Sequence, residues 1–204
     1  MTTPPQQFVP PTSSLLPGDE EVWTRYEKAF DNQQALTDLT TELLGLRTEG
    51  AQTLGMGVMS PAGSATVQRA RTQVNICENT GIPLSRYVRH FVPNSGPQPW
   101  CAFFVSWCLD TCEIGNNNSR VPWDNPGYVP SVHQWAQSAN RLVDVPVHGD
   151  MFGLGGQHMG FVVGANPATG TIWTVEGNYG DCVTQRTVNY NSAGFWFARF
   201  FSDL

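Results

Sequence analysis

Charge is scarce in this chain: only 14% of its 204 residues are Asp, Glu, Lys or Arg, against roughly 25% in ordinary soluble domains. The few charges lean acidic, with 11 Lys and Arg against 17 Asp and Glu and a net charge of −6. A broad basic surface for nucleic acid or anionic lipid is therefore excluded. Long apolar runs are lacking too. The longest uncharged stretch, 151–175, is broken by repeated glycines, Pro167, Gln157 and Asn166, so no membrane span is expected. The opening MTTPPQQFVPPTSSLLPG has neither a basic start nor an apolar segment behind it, and no signal peptide is expected in this chain. No two of the five cysteines, Cys77, Cys101, Cys108, Cys112 and Cys182, form a CxxC pair, which argues against a zinc ribbon or a thioredoxin-like centre. No metal or other cofactor is expected.

What is present suits one packed domain with an appendage: 40% of the residues are hydrophobic and 11% aromatic. Residues 1–18 are rich in proline and read as an extended leader. Asp19, Glu20 and Glu21 then supply a negative first turn. Trp23, Tyr26, Phe30, Leu36, Leu39, Leu43 and Leu46 follow at three- and four-residue spacing, which predicts a long amphipathic helix over 19–46. Its apolar stripe needs a cover, either the same chain or a protein partner. Met59-Ser60-Pro61-Ala62-Gly63 reads as a linker, so the expected organisation is a leader at 1–18, a helical segment and linker at 19–63, and a domain at 64–204.

Within the domain, Val67, Ala70, Val74 and Cys77 predict a helix closed by Gly81, with a shorter helical piece from Leu84 to Phe91. Trp100 to Leu109 is apolar on nearly every side, the pattern of a buried central helix. Another short helix is expected to begin at Ser131. Beyond Arg141 the pattern turns to short strands, placed at 142–147, 158–164, 171–176, 182–188 and 195–201, with Asn166 to Gly170 as a hairpin turn. Helices first and strands second predict an α+β domain with an antiparallel sheet.

Cys101 stands where a proline-rich loop enters the buried helix. Unpaired N–H groups and the positive end of the helix dipole meet there, and both favour a thiolate. The other four cysteines are left open between free thiols and up to two disulfides. A thiol nucleophile needs a base and a group that orients it. Of the four histidines, His90, His133, His148 and His158, only His158 opens a strand after a glycine-rich turn, where its ring can face a cleft. Glu176 and Asn178 have period-two spacing on the neighbouring strand and are expected on one face, able to hold the imidazole in one tautomer.

Together these pieces resemble the CHAP family of cysteine peptidoglycan amidohydrolases, which have a papain-like fold. The matching segments are Pro99 to Trp107, the turn Gly149-Asp150-Met151-Phe152, Gly156 to Val163, Ile172 to Asn178, and the closing Gly194 to Arg199. They span roughly residues 64–201. The resemblance implies Cys101 as nucleophile, His158 as general base and then acid, Glu176 as the orienting third member, and Asn178 as support for His158 or for the site geometry. Many family members carry Gln directly before the nucleophile, whereas Trp100 stands there in this chain and Gln98 lies further upstream. The Cys101 N–H and the Gln98 side chain are thus the candidate oxyanion donors, with Trp100 a candidate wall of the substrate cleft. The acidic calcium loop of some members has no counterpart before Cys101.

The implied activity is hydrolysis of an amide bond in peptidoglycan through a thioester at Cys101, by a wall-associated or extracellular bacterial protein or a phage lysin. Two alternatives stay open: a binding or assembly protein built on the same scaffold, and a toxin or protease using the apparatus on another amide.

Overall fold

The computed structural model describes residues 61–112 and 121–201, all of which belong to one compact unit, Met56–Leu204. The expected leader and the helix at 19–46 lie outside the described residues.

Helix α1, Pro61–Arg71, begins inside the segment expected as a linker. Proline suits a first helical turn, where its missing N–H has no acceptor to lose. Arg69 and Arg71 lie in the last turn, facing the negative end of the dipole. The helix buries Ala62, Val67 and Ala70. Near its start Gly63 meets Gly149 backbone to backbone: a Cβ at Gly149 would stand 2.9 Å from the Gly63 Cα. Gly149 has φ 94° as well, so glycine is required there twice over.

The chain leaves helical geometry at Arg71 rather than continuing to Cys77. Asn75 turns it through a left-handed conformation, φ 70°, and the next residues pair with the start of a distant strand. Asn75 N–H donates to Val183 O (2.9 Å), Val183 N–H to Ile76 O (2.9 Å) and Glu78 N–H to Asp181 O (2.8 Å). A Cys77–Cys182 disulfide closes the same contact. This answers the question left open for the cysteines: one disulfide forms, and Cys101, Cys108 and Cys112 are free.

A turn of π-helix, Pro83–Val88, and a short α-helical turn, Arg89–Phe91, lead to the loop before helix α2, Cys101–Asp110. Residues Cys101 to Leu109 are all buried, as the uninterrupted apolar sequence requires. Helix α3, Val129–Ser138, starts ahead of the expected Ser131 with a proline in its first turn.

The six strands are β1 (Leu142–Val143), β2 (Met151–Leu154), β3 (His158–Asn166), β4 (Thr171–Tyr179), β5 (Cys182–Asn189) and β6 (Phe195–Ala198). Every pairing is antiparallel, in the order β1-β6-β2-β3-β4-β5. The α+β expectation holds. Strand β2 was not expected from the sequence, and β1 is shorter than 142–147. Four residues carrying Gly153 give almost no periodic signal, and Pro146 cannot donate to a ladder.

One face of the sheet, with Met151, Met159, Phe161, Val175, Val183 and Ala198, packs with the helices into the main core. Helix α2 lies across β3 and β4. It comes so close at Gly177 that a Cβ there would stand 2.5 Å from the Phe104 Cβ. The opposite face holds a smaller apolar cluster of Phe152, Val162, Ile172 and Phe197. No helix among the described residues is long and apolar enough to cross a membrane.

Candidate active site

Cys101 is the first residue of α2 and is nearly enclosed. Its Sγ approaches the Gln157 carbonyl oxygen at 4.0 Å, so the helix start abuts the turn that delivers His158 to the head of β3. The His158 ring lies close enough to the Cys101 side chain for the two to interact electrostatically. Helix geometry leaves the first-turn N–H groups, Cys101's own among them, without intrahelical acceptors.

Strand register then supplies the third member. Gly160 pairs with Glu176 across β3 and β4. Directly opposed residues share a face, and alternation places His158 on the Gly160 face. Gly160 is required because the Glu176 side chain crosses it to reach the imidazole. A Cβ there would stand 3.0 Å from Glu176 Cγ, 2.8 Å from Phe152 Cε1 and 2.7 Å from Val175 O. The His158 Nε2 meets Glu176 Oε2 at 2.8 Å, which leaves Nδ1 as the nitrogen for the thiol.

The Glu176 side chain is 0% exposed and that of His158 20%. Glu176 is nevertheless well supplied with donors. The Thr174 hydroxyl donates to Oε1, and Arg186 Nη1 donates to Oε2 at 3.1 Å. Burial pushes the Glu176 carboxyl upward, but the hydrogen bonds from His158 and Thr174 and the charges of Arg186 and His158 outweigh it, and its pKa ends below the ordinary value. Burial likewise opposes protonation of His158. Hydrogen bonds to Cys101 and Glu176, and the charges of both, overcome that and raise its pKa to about 9. The raised value favours the cationic form of the imidazole, which sits between the Cys101 sulfur and the Glu176 carboxylate.

Other residues expected at the site fare differently. Trp100 is a core residue rather than a cleft wall: it is 1% exposed, stacks on Tyr87 with ring centroids 5.4 Å apart, and donates its indole N–H to Glu78 Oε1 at 2.7 Å. The Gln98 amide donates to the Ser95 hydroxyl within its own exposed loop, and no hydrogen bond links it to Cys101. Asn178 does not reach His158 by a hydrogen bond either. The β4–β5 register slips between Glu176 and Tyr179, and Asn178 takes a left-handed conformation, φ 60°. That bulge breaks the alternation on which a shared face with Glu176 depended.

The remaining histidines serve structure. His148 Nδ1 meets Val163 O at 2.6 Å, and burial holds its pKa below the ordinary value. His90 meets Asp110 at 2.5 Å, and His133 stacks on Trp196.

Sequence reasoning missed Thr174 and Arg186. Thr174 lies two residues before Glu176, so alternation alone places it on the carboxylate's face. Arg186 pairs directly with Thr174 across the hairpin, a relation visible only once the register is known. Among the described residues, no group of three or more His, Cys, Asp or Glu side chains is arranged to hold a metal ion.

Comparison of the chain with protein-family models, curated proteins and solved structures returns no match. The functional argument therefore rests on the site itself.

Proposed function

We propose that this chain is a cysteine amidohydrolase that cleaves an amide bond in peptidoglycan, with residues 64–201 forming a CHAP-like domain of papain-like fold. The observation that carries the reading is the Cys101–His158–Glu176 series: a thiol at a helix start against the turn that delivers His158, an imidazole that interacts with it, and a buried carboxylate hydrogen bonded to the imidazole's Nε2. The peptidoglycan substrate comes from the family resemblance; the thiol chemistry comes from the geometry.

In the proposed reaction His158 holds the Cys101 proton, and the thiolate attacks the amide carbonyl carbon. The carbonyl oxygen takes the negative charge, against first-turn N–H groups of α2. His158 Nδ1 then gives its proton to the amide nitrogen, the C–N bond breaks, and the amine leaves a thioester on Cys101. Water attacks that carbonyl while giving a proton to His158. The C–S bond breaks, releasing the carboxylic acid, which loses its remaining proton to solvent, and regenerating the thiolate–imidazolium pair. Glu176 keeps Nδ1 aimed at the sulfur and stabilises the cation throughout. The Cys77–Cys182 disulfide supports an oxidising place of work outside the cytosol.

The test is digestion of purified cell walls followed by mass spectrometry of the soluble products. The wild-type protein should release fragments with a matched new amine and carboxylate, whose identity names the bond. Cys101→Ala, which removes only the sulfur from a buried site, should release none while retaining its circular dichroism spectrum. Equal product release by folded Cys101→Ala would overturn the proposal.

A further inference from the structure

We propose that Arg186 is a positioning residue of this site: it shares the Oε2 atom of Glu176 with His158 and keeps that buried carboxylate charged and fixed toward the imidazole. The inference rests on the thiol-hydrolase reading above and extends it to a residue on a third strand.

The Glu176 side chain is closed off from the surface. Three groups from three other elements and two from its own strand determine its state. His158 on β3 and Arg186 on β5 touch Oε2, at 2.8 Å and 3.1 Å. Cys101 on α2 acts through the imidazole. On β4 itself the Thr174 hydroxyl holds Oε1, and the Tyr179 ring borders both cations. Arg186 is the only one of these with a permanent positive charge. Without it, the buried carboxylate would depend for its charge on the imidazolium that it is supposed to stabilise.

Arg186 is itself held in place. Its guanidinium lies 3.5 Å from the centroid of Tyr179, and that ring stands edge-on to His158 with centroids 6.2 Å apart. Tyr179 remains 44% exposed, so it covers the guanidinium on one side without burying it. The pairing of Thr174 with Arg186 and of Glu176 with Thr184 puts Arg186 diagonally across from the carboxylate, within reach of a long side chain.

The expected signature differs from that of Glu176. Loss of the carboxylate weakens the imidazolium and should move the alkaline limb of activity to lower pH. Loss of Arg186 lets Glu176 take up a proton at higher pH, so the acidic limb should move upward. The alkaline limb should not fall, because the guanidinium and imidazolium repel one another.

The readout is the pH dependence of Cys101 alkylation by iodoacetamide, followed at that residue by mass spectrometry on the full chain, beside the pH dependence of wall digestion. Arg186→Met should shift the acidic limb of alkylation up by about one unit, which is about a tenfold slower reaction at a fixed pH on that limb. The plateau should change by less than about threefold, and Arg186→Lys should restore most of the limb. Arg186→Gln carries the same test if the methionine variant does not fold. An unmoved acidic limb in a folded variant would overturn the inference. So would an equal loss at every pH in the Lys and Met variants, which marks packing alone. Because alkylation needs no substrate, failure of the wild-type protein to digest walls would refute the hydrolase reading while the alkylation profiles still decide the role of Arg186.

Discussion

Two buried carboxylates sit on this sheet, each beside an arginine, and they behave in opposite ways. Asp150, just ahead of β2, forms a two-pronged pair with Arg199 at 2.9 Å and 3.0 Å and accepts the Val147 N–H at 2.8 Å. Burial still wins there, and the Asp150 pKa lies above its ordinary value despite the hydrogen bonds and charge of Arg199. Glu176 is as deeply buried, yet its pKa lies below the ordinary value. The difference is in the partners. Asp150 is held by one side chain and a backbone amide, and Arg199 has little else to do. Glu176 gathers three side chains, one of which is an imidazole that also faces a thiol. The first carboxylate is a fastener between strands, whereas the second is kept charged for the benefit of its neighbour.

The largest effect expected from this contrast is on stability at the fastener. Asp150→Ala leaves Arg199 and the Val147 N–H without their partner and should cost about 3–5 kcal/mol, the usual result of breaking a buried pair from one side. Chemical denaturation reads the loss, and turnover per folded molecule should not change. A variant that loses activity in proportion to chemistry rather than to folding would erase the distinction.

Next comes the disulfide, which ties the 75–78 segment to β5 across 105 residues of chain. Cys77→Ser should lower stability by about 2–5 kcal/mol, less if the three backbone bonds of that contact hold the segment by themselves. Reduction of the wild-type protein should reproduce the loss.

Glu176→Gln should differ from Asp150→Ala in losing chemistry as well as folding energy: turnover per folded molecule falls by about tenfold to a hundredfold, near 1.4–2.7 kcal/mol of barrier, besides the stability lost when His158 and Arg186 give up their partner. A pH signature accompanies it. The folded His158 pKa of about 9 is above the ordinary imidazole value, so its contribution to stability is fully present below pH about 6.5 and is lost as pH rises through about 9. Unfolding curves should flatten over that window in Glu176→Gln. For Glu176 the sign reverses: its depressed pKa gives stability above the ordinary carboxylate range that is lost on acidification.

The smallest effect concerns Gly160. Adding one methyl group in Gly160→Ala would bring a Cβ within 3.0 Å of the Val175 carbonyl oxygen and of Phe152, which must move, and press on Glu176 Cγ at 3.0 Å. A severalfold drop in turnover, about threefold to tenfold, should follow with the alkaline limb displaced downward, as for a weakened Glu176. Unchanged kinetics would show that the carboxylate reaches His158 without the space Gly160 provides.

How much of this was legible in the sequence depended on regularity. Helix α2 was visible because its residues are apolar all round, and the strands that hold His158 and Glu176 were visible because their patterns alternate. Cys101, His158 and Glu176 lie at regular positions and come together. Asn178 does not, because a bulge inserted a residue where alternation was assumed, and no feature of Glu176-Gly177-Asn178-Tyr179 announces it. Gly177 instead answers to the helix above it. Trp100 was misjudged for a related reason: standing next to a nucleophile in sequence says nothing of direction, and the residue before a helix start here points into the core toward Glu78. The pairing of Cys77 with Cys182 and of Arg186 with Glu176 needed the register of the sheet, which composition and periodicity do not contain.

The central claim is that Glu176 and Cys101 together hold His158 as a cation. Titration of the His158 ring by nuclear magnetic resonance in the full chain tests it most directly, with His90, His133 and His148 assigned by substitution. The account predicts a midpoint near pH 9 in the wild-type protein, displaced downward by both Glu176→Gln and Cys101→Ala. A midpoint near the ordinary value of about 6.5, unmoved by either substitution, would contradict it.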